Sequence, residues 1–185
     1  MLIESYHQFQ RDMLDRYGVK PILNAACMGD TANLGKDYGA INTDIRTFDA
    51  HNGTDLTKLP NFCLCDVTSM HFGSGTFGTV VLGEFLEHCV VAEAVRSFQE
   101  VYRVLTKEGK LILTFPLDDR PKKGQHDDVL TVEWAEGITS WHQTVWEDEM
   151  LLTLFGETGF QILCKQHLDY GFARRGGWGI VLGKA

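Results

Sequence analysis

The sequence lacks the cysteine pattern, the positive charge and the long hydrophobic run that would place it in several common protein classes. Its five cysteines form no C-x-x-C pair, so we expect reduced thiols rather than a disulfide framework or a zinc ribbon. A formal net charge of −8 disfavours binding to nucleic acid, because that affinity comes from clustered Lys and Arg. No apolar run approaches about 18 residues and the first residues do not resemble a secretory leader, so we expect a cytoplasmic protein without a membrane span.

Proline is scarce, with four residues in the chain, and there is no internal repeat or low-complexity segment. A chain of 185 residues, 44% hydrophobic and 23% charged, is typical of one globular domain. It can bury a continuous core without disulfides or a structural metal. We therefore expect a single domain over residues 1–185 with no metal site, whereas no oligomeric state follows from the sequence.

Short apolar runs alternate with segments of helical periodicity, which is typical of an α/β protein with a mainly parallel sheet. The predicted strands are residues 21–25, 40–44, 62–65, 79–82, 111–115, 160–167 and 178–182. The predicted helices are residues 3–17, a short one within 28–36, 91–105, and 144–155, the last opened by a capping box of Thr144 and Glu147. No helical pattern separates the last two strands, so we expect an antiparallel pair.

The central strands should be covered on both faces, because their sequences are continuous apolar runs. The residues predicted to be buried there are Val80, Val81, Leu82, Leu111, Ile112 and Leu113. In such a sheet a ligand binds outside the carboxyl ends of the strands. The residues that follow each predicted strand are therefore the candidates for a site.

Four of these strand ends are informative, and the fourth strand ends in Gly83-Glu-Phe-Leu-Glu-His88. The first leads into Asn24-Ala-Ala-Cys-Met-Gly-Asp30, whose small residues would let a backbone approach a ligand. The second ends in Asp44, a carboxylate that can accept hydrogen bonds from two ribose hydroxyls. The third ends in Asp66, which can accept from an exocyclic amine while Val67 offers its backbone N–H to a ring nitrogen. For each Asp, the alternative is an ordinary turn or helix cap.

Five segments, in this order and spacing, resemble class I S-adenosylmethionine (SAM)-dependent methyltransferases of the subgroup whose fourth strand runs into Leu-Glu-His. They are Ile22–Cys27, Asn42–Ile45, Phe62–Asp66, Gly75–His88 and Arg103–Pro116. The resemblance implies a three-layer, Rossmann-like sheet of seven strands, mainly parallel with the last strand antiparallel. It also implies methyl transfer from SAM to a small-molecule acceptor, with S-adenosylhomocysteine (SAH) as the product.

The resemblance assigns the cofactor site residue by residue. It implies that the loop residues Asn24, Ala25, Ala26 and Cys27 pass the cofactor, that Asp44 and Ile45 flank the ribose, that Asp66 and Val67 hold the adenine, and that Gly83, Glu84 and Phe85 line the methionine end. The first loop departs from the family pattern Asp-x-Gly-x-Gly-x-Gly. Met28 there puts bulk where the carboxypropyl group passes, a shifted turn at Gly29 or Gly35 could relieve the crowding, and Asp30 could hold the cofactor's ammonium group.

Methyl transfer is an in-line displacement that depends mainly on the alignment of nucleophile and methyl group. A nucleophilic oxygen or nitrogen still benefits from a base. We predict His88 as the catalytic base because it follows a strand end directly, with Glu87, His126 and His142 as further candidates. A structural or surface role is the alternative for each histidine.

The stretch of residues 117–143 has no clear periodicity and follows the fifth predicted strand, so we expect it to gate and select the acceptor. Four aromatic side chains, three in this stretch and one just after it, either pack over the acceptor or fasten the loop to the core. They are Trp134, Trp141, His142 and Trp146.

Two other functions stay open. A nicotinamide-dependent dehydrogenase shares such a sheet, but its pyrophosphate needs a glycine-rich turn, and Met28 and Asp30 stand there instead. A methyltransferase fold that has lost catalysis and serves as a binding module is compatible with the altered first loop.

Overall fold

The computed structural model describes residues 4–29, 33–49, 53–117, 130–133, 139–170 and 176–185. Its main sheet consists of β1 (Ile22–Ala25), β2 (Ile41–Asp44), β3 (Phe62–Leu64), β4 (Phe77–Gly83), β5 (Leu105–Pro116), β6 (Phe160–Leu168) and β7 (Gly177–Lys184). The strand order is β3-β2-β1-β4-β5-β7-β6. Strand β7 runs antiparallel to both of its neighbours, while the other pairs are parallel. The predicted fold class, with its reversed last strand, is confirmed.

The centre of the sheet is apolar on both faces. The six residues predicted to be buried in β4 and β5 all have 0% exposure. Alternate residues enter different cores, as the two-residue period of a strand requires. Val80 and Leu82 belong to one core, and Val81 between them belongs to the other.

Four α-helices cover the sheet among the described residues. They are α1 (Glu4–Tyr17), α2 (Leu34–Tyr38), α3 (Val91–Val104) and α4 (Asp148–Thr158). Phe9 of α1 and Leu34 of α2 pack with Val81 on one face, whereas Phe98 of α3 and Leu154 of α4 pack on the other. This arrangement gives three layers. No helix in the described ranges is long and apolar enough to cross a membrane.

The predicted capping box before α4 is wrong. The helix begins at Asp148, and Glu147 at its N-cap makes no side-chain capping bond. The hydroxyl of Thr144 instead donates to the carbonyl oxygen of Cys89 over 2.7 Å, and the indole nitrogen of Trp146 donates to the carbonyl oxygen of Leu86 over 2.8 Å. The side chains of Thr144 and Trp146 therefore donate to backbone carbonyl oxygens of the turn after β4, and Trp146 fastens this segment to the core.

The connection from β3 to β4, residues 65–76, contains no helix. The side chains of Glu100 and Arg103 on α3 hold it in place. Arg103 donates to the carbonyl oxygens of Met70 and Phe72 and to the Glu100 carboxylate, each over 2.8 Å. The Met70 amide in turn donates to Glu100 over 2.8 Å. This ion pair fixes the chain on the carboxyl side of β3.

Candidate functional site

The loop after β1 forms a tight turn in the backbone conformation that favours glycine. Ala26, Met28 and Gly29 have φ angles of 51°, 37° and 89°. In the family motif, glycines stand at the positions of Ala26 and Met28, so this chain keeps the turn without those two glycines. Left-handed backbone costs a residue with a Cβ about 1–2 kcal/mol. The Cys27 amide donates to the carbonyl oxygen of Thr43 over 2.9 Å and fixes the turn against β2.

Asn24 stands where the family motif has an acid, and its side chain bonds within the sheet. Its amide nitrogen donates to Asn42 Oδ1 over 2.9 Å, and the Asn42 amide donates to the carbonyl oxygen of Pro60 over 3.0 Å. Asn24 and Asn42 are both buried. This pair joins β1 to β2 beneath the loop, next to the fully buried Ala25.

Asp44 lies at the carboxyl end of β2, directly under the turn. Its Oδ2 accepts from the Met28 amide over 3.4 Å, and its Oδ1 accepts from the Arg46 amide over 3.0 Å and from Arg46 Nε over 3.4 Å. The residue is only 2% exposed, whereas Ile45 beside it is 64% exposed. The turn and Arg46 therefore cover the Asp44 side chain, and its role at the ribose stays a prediction.

Asp66 is exposed and caps its own turn. Its Oδ1 accepts from the amide and from the hydroxyl of Thr68, each over 2.8 Å. These bonds are those of the turn-cap alternative, although they leave Oδ2 with no partner among the bonds described here. Val67 next to it is buried, with 3% exposure. The adenine-binding role of the two residues stays a prediction.

The end of β4 carries a polar cluster around the predicted residues Gly83 and Glu84, whose partners from α1, β5 and the segment after β6 the sequence did not predict. Glu84 has a φ of 52°, and its amide donates to the carbonyl oxygen of Thr114 on β5 over 2.8 Å. Its Oε1 accepts a hydrogen bond of 2.6 Å from the hydroxyl of Tyr170. Gln10 of α1 donates to the Thr114 hydroxyl over 2.9 Å and lies over Gly83, where a Cβ would come within 2.3 Å of Gln10 Nε2.

The groups of this cluster favour their protonated forms. Burial raises the pKa of Glu84 well above its usual range, and the neighbouring Glu87 carboxylate raises it further. Burial followed by Glu84 raises the pKa of Tyr170 in the same direction. Tyr6 of α1 stacks on Tyr170 with ring centroids 5.2 Å apart, and its pKa is raised by burial, Glu84 and Glu87. Burial lowers the pKa of the adjacent His7 to about 4, so this ring is neutral at pH 7.

His88 lies on the short helical turn Leu86–His88 after β4, with Phe85 immediately before it. Its Nε2 is 3.8 Å from Glu87 Oε1, and its side chain is 32% exposed. The predicted base therefore lies next to the carboxylate of Glu87. Its catalytic role stays a prediction.

Some predicted site residues lie outside the described residues. These are Asp30, His126, Trp134 and the side chains of Trp141 and His142. Most of residues 117–143, the stretch predicted to gate and select the acceptor, also lies outside the described residues. In the part of the chain that is described, no three His, Cys, Asp or Glu side chains are grouped to hold a metal ion.

Comparisons with known proteins agree with this geometry. Residues 32–113 match the family model described as a methyltransferase domain. A SAM-dependent methyltransferase from Methanosarcina mazei superposes with a TM-score of 0.70 at 19% identity, covering 93% of this chain and 96% of that one. The 1,6-didemethyltoxoflavin N1-methyltransferase of Burkholderia thailandensis, crystallised with 1,6-didemethyltoxoflavin and SAH, has a TM-score of 0.63 at 11% identity over 97% of this chain and 78% of its own.

The cyclase SpnF has the same fold, with a TM-score of 0.67 at 14% identity over 96% of this chain and 80% of its own. No curated protein matches the sequence. The fold is thus the one that these solved methyltransferases share. The family resemblance drawn from the five sequence segments is thereby confirmed.

Proposed function

We propose that this chain binds SAM at the carboxyl ends of β1 to β4 and transfers its methyl group to a small-molecule acceptor. The observation that carries the proposal is the turn after β1, which keeps the left-handed backbone of a glycine-rich loop at Ala26, Met28 and Gly29 and points the Met28 amide at Asp44. A backbone turn over an acid at the end of β2 is the arrangement that a nucleoside ligand requires.

The residues present fit an adenosine and a methionine end. The Asp44 carboxylate can exchange the long bonds from Met28 N and Arg46 Nε, both 3.4 Å, for shorter bonds from two ribose hydroxyls. Arg46 is free to move away, because its side chain is 56% exposed. The half-buried Gly83 and Glu84 then border the methyl group.

SAM, when bound, supplies a methyl group on a positively charged sulfur. The chain's own contribution is alignment, because the displacement needs no covalent enzyme intermediate. The acceptor side is formed by α1, the turn after β4 and the segment around Tyr170. The 1,6-didemethyltoxoflavin bound to the Burkholderia enzyme supports a small organic acceptor here as well.

Two alternatives make different predictions for ligand binding. A dehydrogenase of this size would have the dinucleotide strand order without the reversed strand, whereas β7 is inserted antiparallel between β5 and β6. A binding module without catalysis remains compatible with Ala26 and Met28 at glycine positions. SpnF, named as a cyclase, shows that this fold also carries other reactions.

Calorimetric titration of the purified chain with SAM, SAH and NADH tests the proposal. We expect saturable binding of SAM and SAH with one site per chain, and no binding of NADH. Tight NADH binding, or no heat with SAM and SAH, would contradict it. Transfer of an isotope-labelled methyl group from SAM to a small-molecule pool then separates an enzyme from a binding module.

A further inference from the structure

The hydrogen bond from Tyr170 to Glu84 is a feature to which the proposed function gives no role. The two residues are 86 positions apart, and the 2.6 Å bond between them joins the end of β4 to the segment after β6. Tyr170 is fully buried and is held by its stack on Tyr6. The Glu84 carboxyl group is therefore oriented from one side by a rigid phenol.

The backbone fixes Glu84 as firmly as the side chain does. Its amide is bonded to Thr114 of β5, and the residue follows Gly83, the last residue of β4. In the proposed function, Gly83 borders the methyl end of SAM. Glu84 consequently stands where the acceptor's attacking atom must arrive.

The electrostatics of this position favour an incoming positive charge. The charged group with the strongest effect on Glu84 is another carboxylate, Glu87, and the phenols of Tyr6 and Tyr170 add no positive charge. Two acids that interact in this way cannot both ionise at low cost, because like charges in a poorly solvated site repel. A cation placed beside them removes that cost.

We propose that Glu84, positioned by Tyr170, accepts a proton from the methyl acceptor and that the acceptor is an amine. This inference rests on the proposed function and names the substrate class of the same site. Glu84 is the catalytic residue in this scheme, and Tyr170 is a positioning residue that acts through it.

The proton and charge balance follow directly. When the acceptor's ammonium group lies beside Glu84, the proton that Glu84 holds in the free chain leaves to solvent. The resulting carboxylate then takes one proton from the ammonium group and becomes a carboxylic acid again. The freed nitrogen lone pair forms the bond to the methyl carbon, while the carbon–sulfur bond breaks and its electrons stay on sulfur. Positive charge thus moves from sulfur to nitrogen, and the Glu84–Glu87 pair lies at the end where it arrives, which lowers the energy of the transition state.

Binding of sinefungin tests this without any knowledge of the acceptor. Sinefungin is a SAM analogue in which a carbon atom bearing a primary amine replaces the sulfur bearing the methyl group, whereas SAH has a neutral sulfur. The ratio of sinefungin to SAH affinity reports how strongly the site favours a charged nitrogen at the transfer point. It is measured by calorimetry in the parent, Glu84→Gln, Glu87→Gln and Tyr170→Phe, with Glu157→Gln on the exposed face of α4 as the matched control.

We expect sinefungin to bind more tightly than SAH in the parent. Glu84→Gln should lower the affinity ratio about tenfold or more, the size of one lost charge-assisted hydrogen bond, and Tyr170→Phe should lower it less. In the parent, the ratio of sinefungin to SAH affinity should rise with pH as Glu84 ionises. The titratable groups that face Glu84 are Glu87, Tyr6 and Tyr170. That rise should be absent in Glu84→Gln and unchanged in Glu157→Gln.

The affinity for SAH measured on each variant is its own control for folding. An unchanged ratio in Glu84→Gln with intact SAH binding would overturn the inference and leave the proposed function standing. If Glu84→Gln does not fold, an unchanged ratio and pH dependence in Tyr170→Phe overturns it instead. A parent chain that binds neither SAM nor SAH would overturn the proposed function and this inference together.

Discussion

The site at the carboxyl edge of the sheet has a cofactor half and an acceptor half. The residues that contact each other lie close together in the sequence in the first half and far apart in the second. On the cofactor side, Asp44 bonds Met28 and Arg46, which are 16 and 2 positions away. On the acceptor side, Gln10 bonds Thr114 across 104 positions and Tyr170 bonds Glu84 across 86. The cofactor half is thus a local structure of two strand ends, whereas the acceptor half exists only once α1, β4, β5 and the segment after β6 have been brought together.

The acids of the two halves also have opposite surroundings. Asp44 is surrounded by donors, namely two backbone amides and a guanidinium. Glu84 accepts from the Tyr170 phenol and the Thr114 hydroxyl, but it also faces a second carboxylate, that of Glu87. An acid among donors suits neutral hydroxyl groups of a ribose, while an acid facing another acid suits a cation. The comparison therefore predicts that substitutions in the two halves separate cofactor affinity from acceptor chemistry.

The largest effect is expected at Asp44. Asp44→Asn keeps the size and one acceptor oxygen but loses the charge, so SAM affinity should fall about tenfold to a hundredfold, since each charge-assisted bond contributes about 1.5–3 kcal/mol. Asp12→Asn on the exposed side of α1 is the control, with an unchanged dissociation constant. Calorimetry of both variants checks this, and equal SAM affinity in Asp44→Asn and the parent would remove Asp44 from the cofactor site.

The next effect concerns stability and pH at Glu84. Because its pKa is higher in the folded chain than in the unfolded chain, the contribution of Glu84 to the free energy of unfolding should be greatest below about pH 4 and should be lost as the pH rises through the folded value. Glu84→Gln should remove this loss and raise the unfolding free energy by about 1 kcal/mol at neutral pH. Urea unfolding across the pH range measures it, and the same pH slope in parent and variant would show that Glu84 is not held protonated.

A smaller effect separates Met28 from Ala26. Replacing either with Gly removes left-handed strain of about 1–2 kcal/mol but adds about 0.5–1 kcal/mol of chain entropy, so each variant should be slightly more stable. Only Met28→Gly also removes a bulky side chain from the path of the carboxypropyl group. We expect it to bind SAM about threefold to tenfold more tightly, with Ala26→Gly close to the parent; weaker binding by Met28→Gly would mean that the thioether side chain contributes contacts to the cofactor.

The smallest effect is expected at Asp66. Its bonds to the Thr68 amide and hydroxyl are exposed, and exposed substitutions usually change stability by less than about 0.5 kcal/mol. Asp66→Asn should weaken SAM by less than about threefold, because the buried Val67 keeps the backbone contact in place. A loss as large as that of Asp44→Asn in the same titration would make Asp66 a principal anchor of the cofactor.

The sequence predicted the elements that repeat a local pattern. The apolar runs of β4 and β5 and the helical face of α3 follow from residue spacing alone. An element that is buried on one or both faces has a regular pattern of apolar residues, and this pattern is visible within a short segment of sequence. Thr144 shows the limit of this reasoning. It has the right spacing for a helix cap. Its hydroxyl instead donates to the backbone carbonyl oxygen of Cys89, which is far away in the sequence.

The candidate site divides in the same way. The positions of Asp44 and Asp66 at strand ends were predictable, because a parallel strand delivers its last residue to the same edge each time. The burial of Asp44 was not, because it depends on how the turn at Met28 folds back over β2. Tyr6, Gln10 and Tyr170 gave no signal in their own neighbourhoods.

By itself the sequence determined the layered α/β architecture, the reversed last strand and the order of the ligand-facing strand ends. These follow from periodicity and from the hydrophobic cost of exposing an apolar run, which are properties of short segments. Only the tertiary structure decided that Asp44 is covered and that Glu87 and Tyr170 influence the pKa of Glu84. The reason is physical: burial and the pKa of an acid depend on every group within a few ångströms, and those groups come from distant parts of the chain.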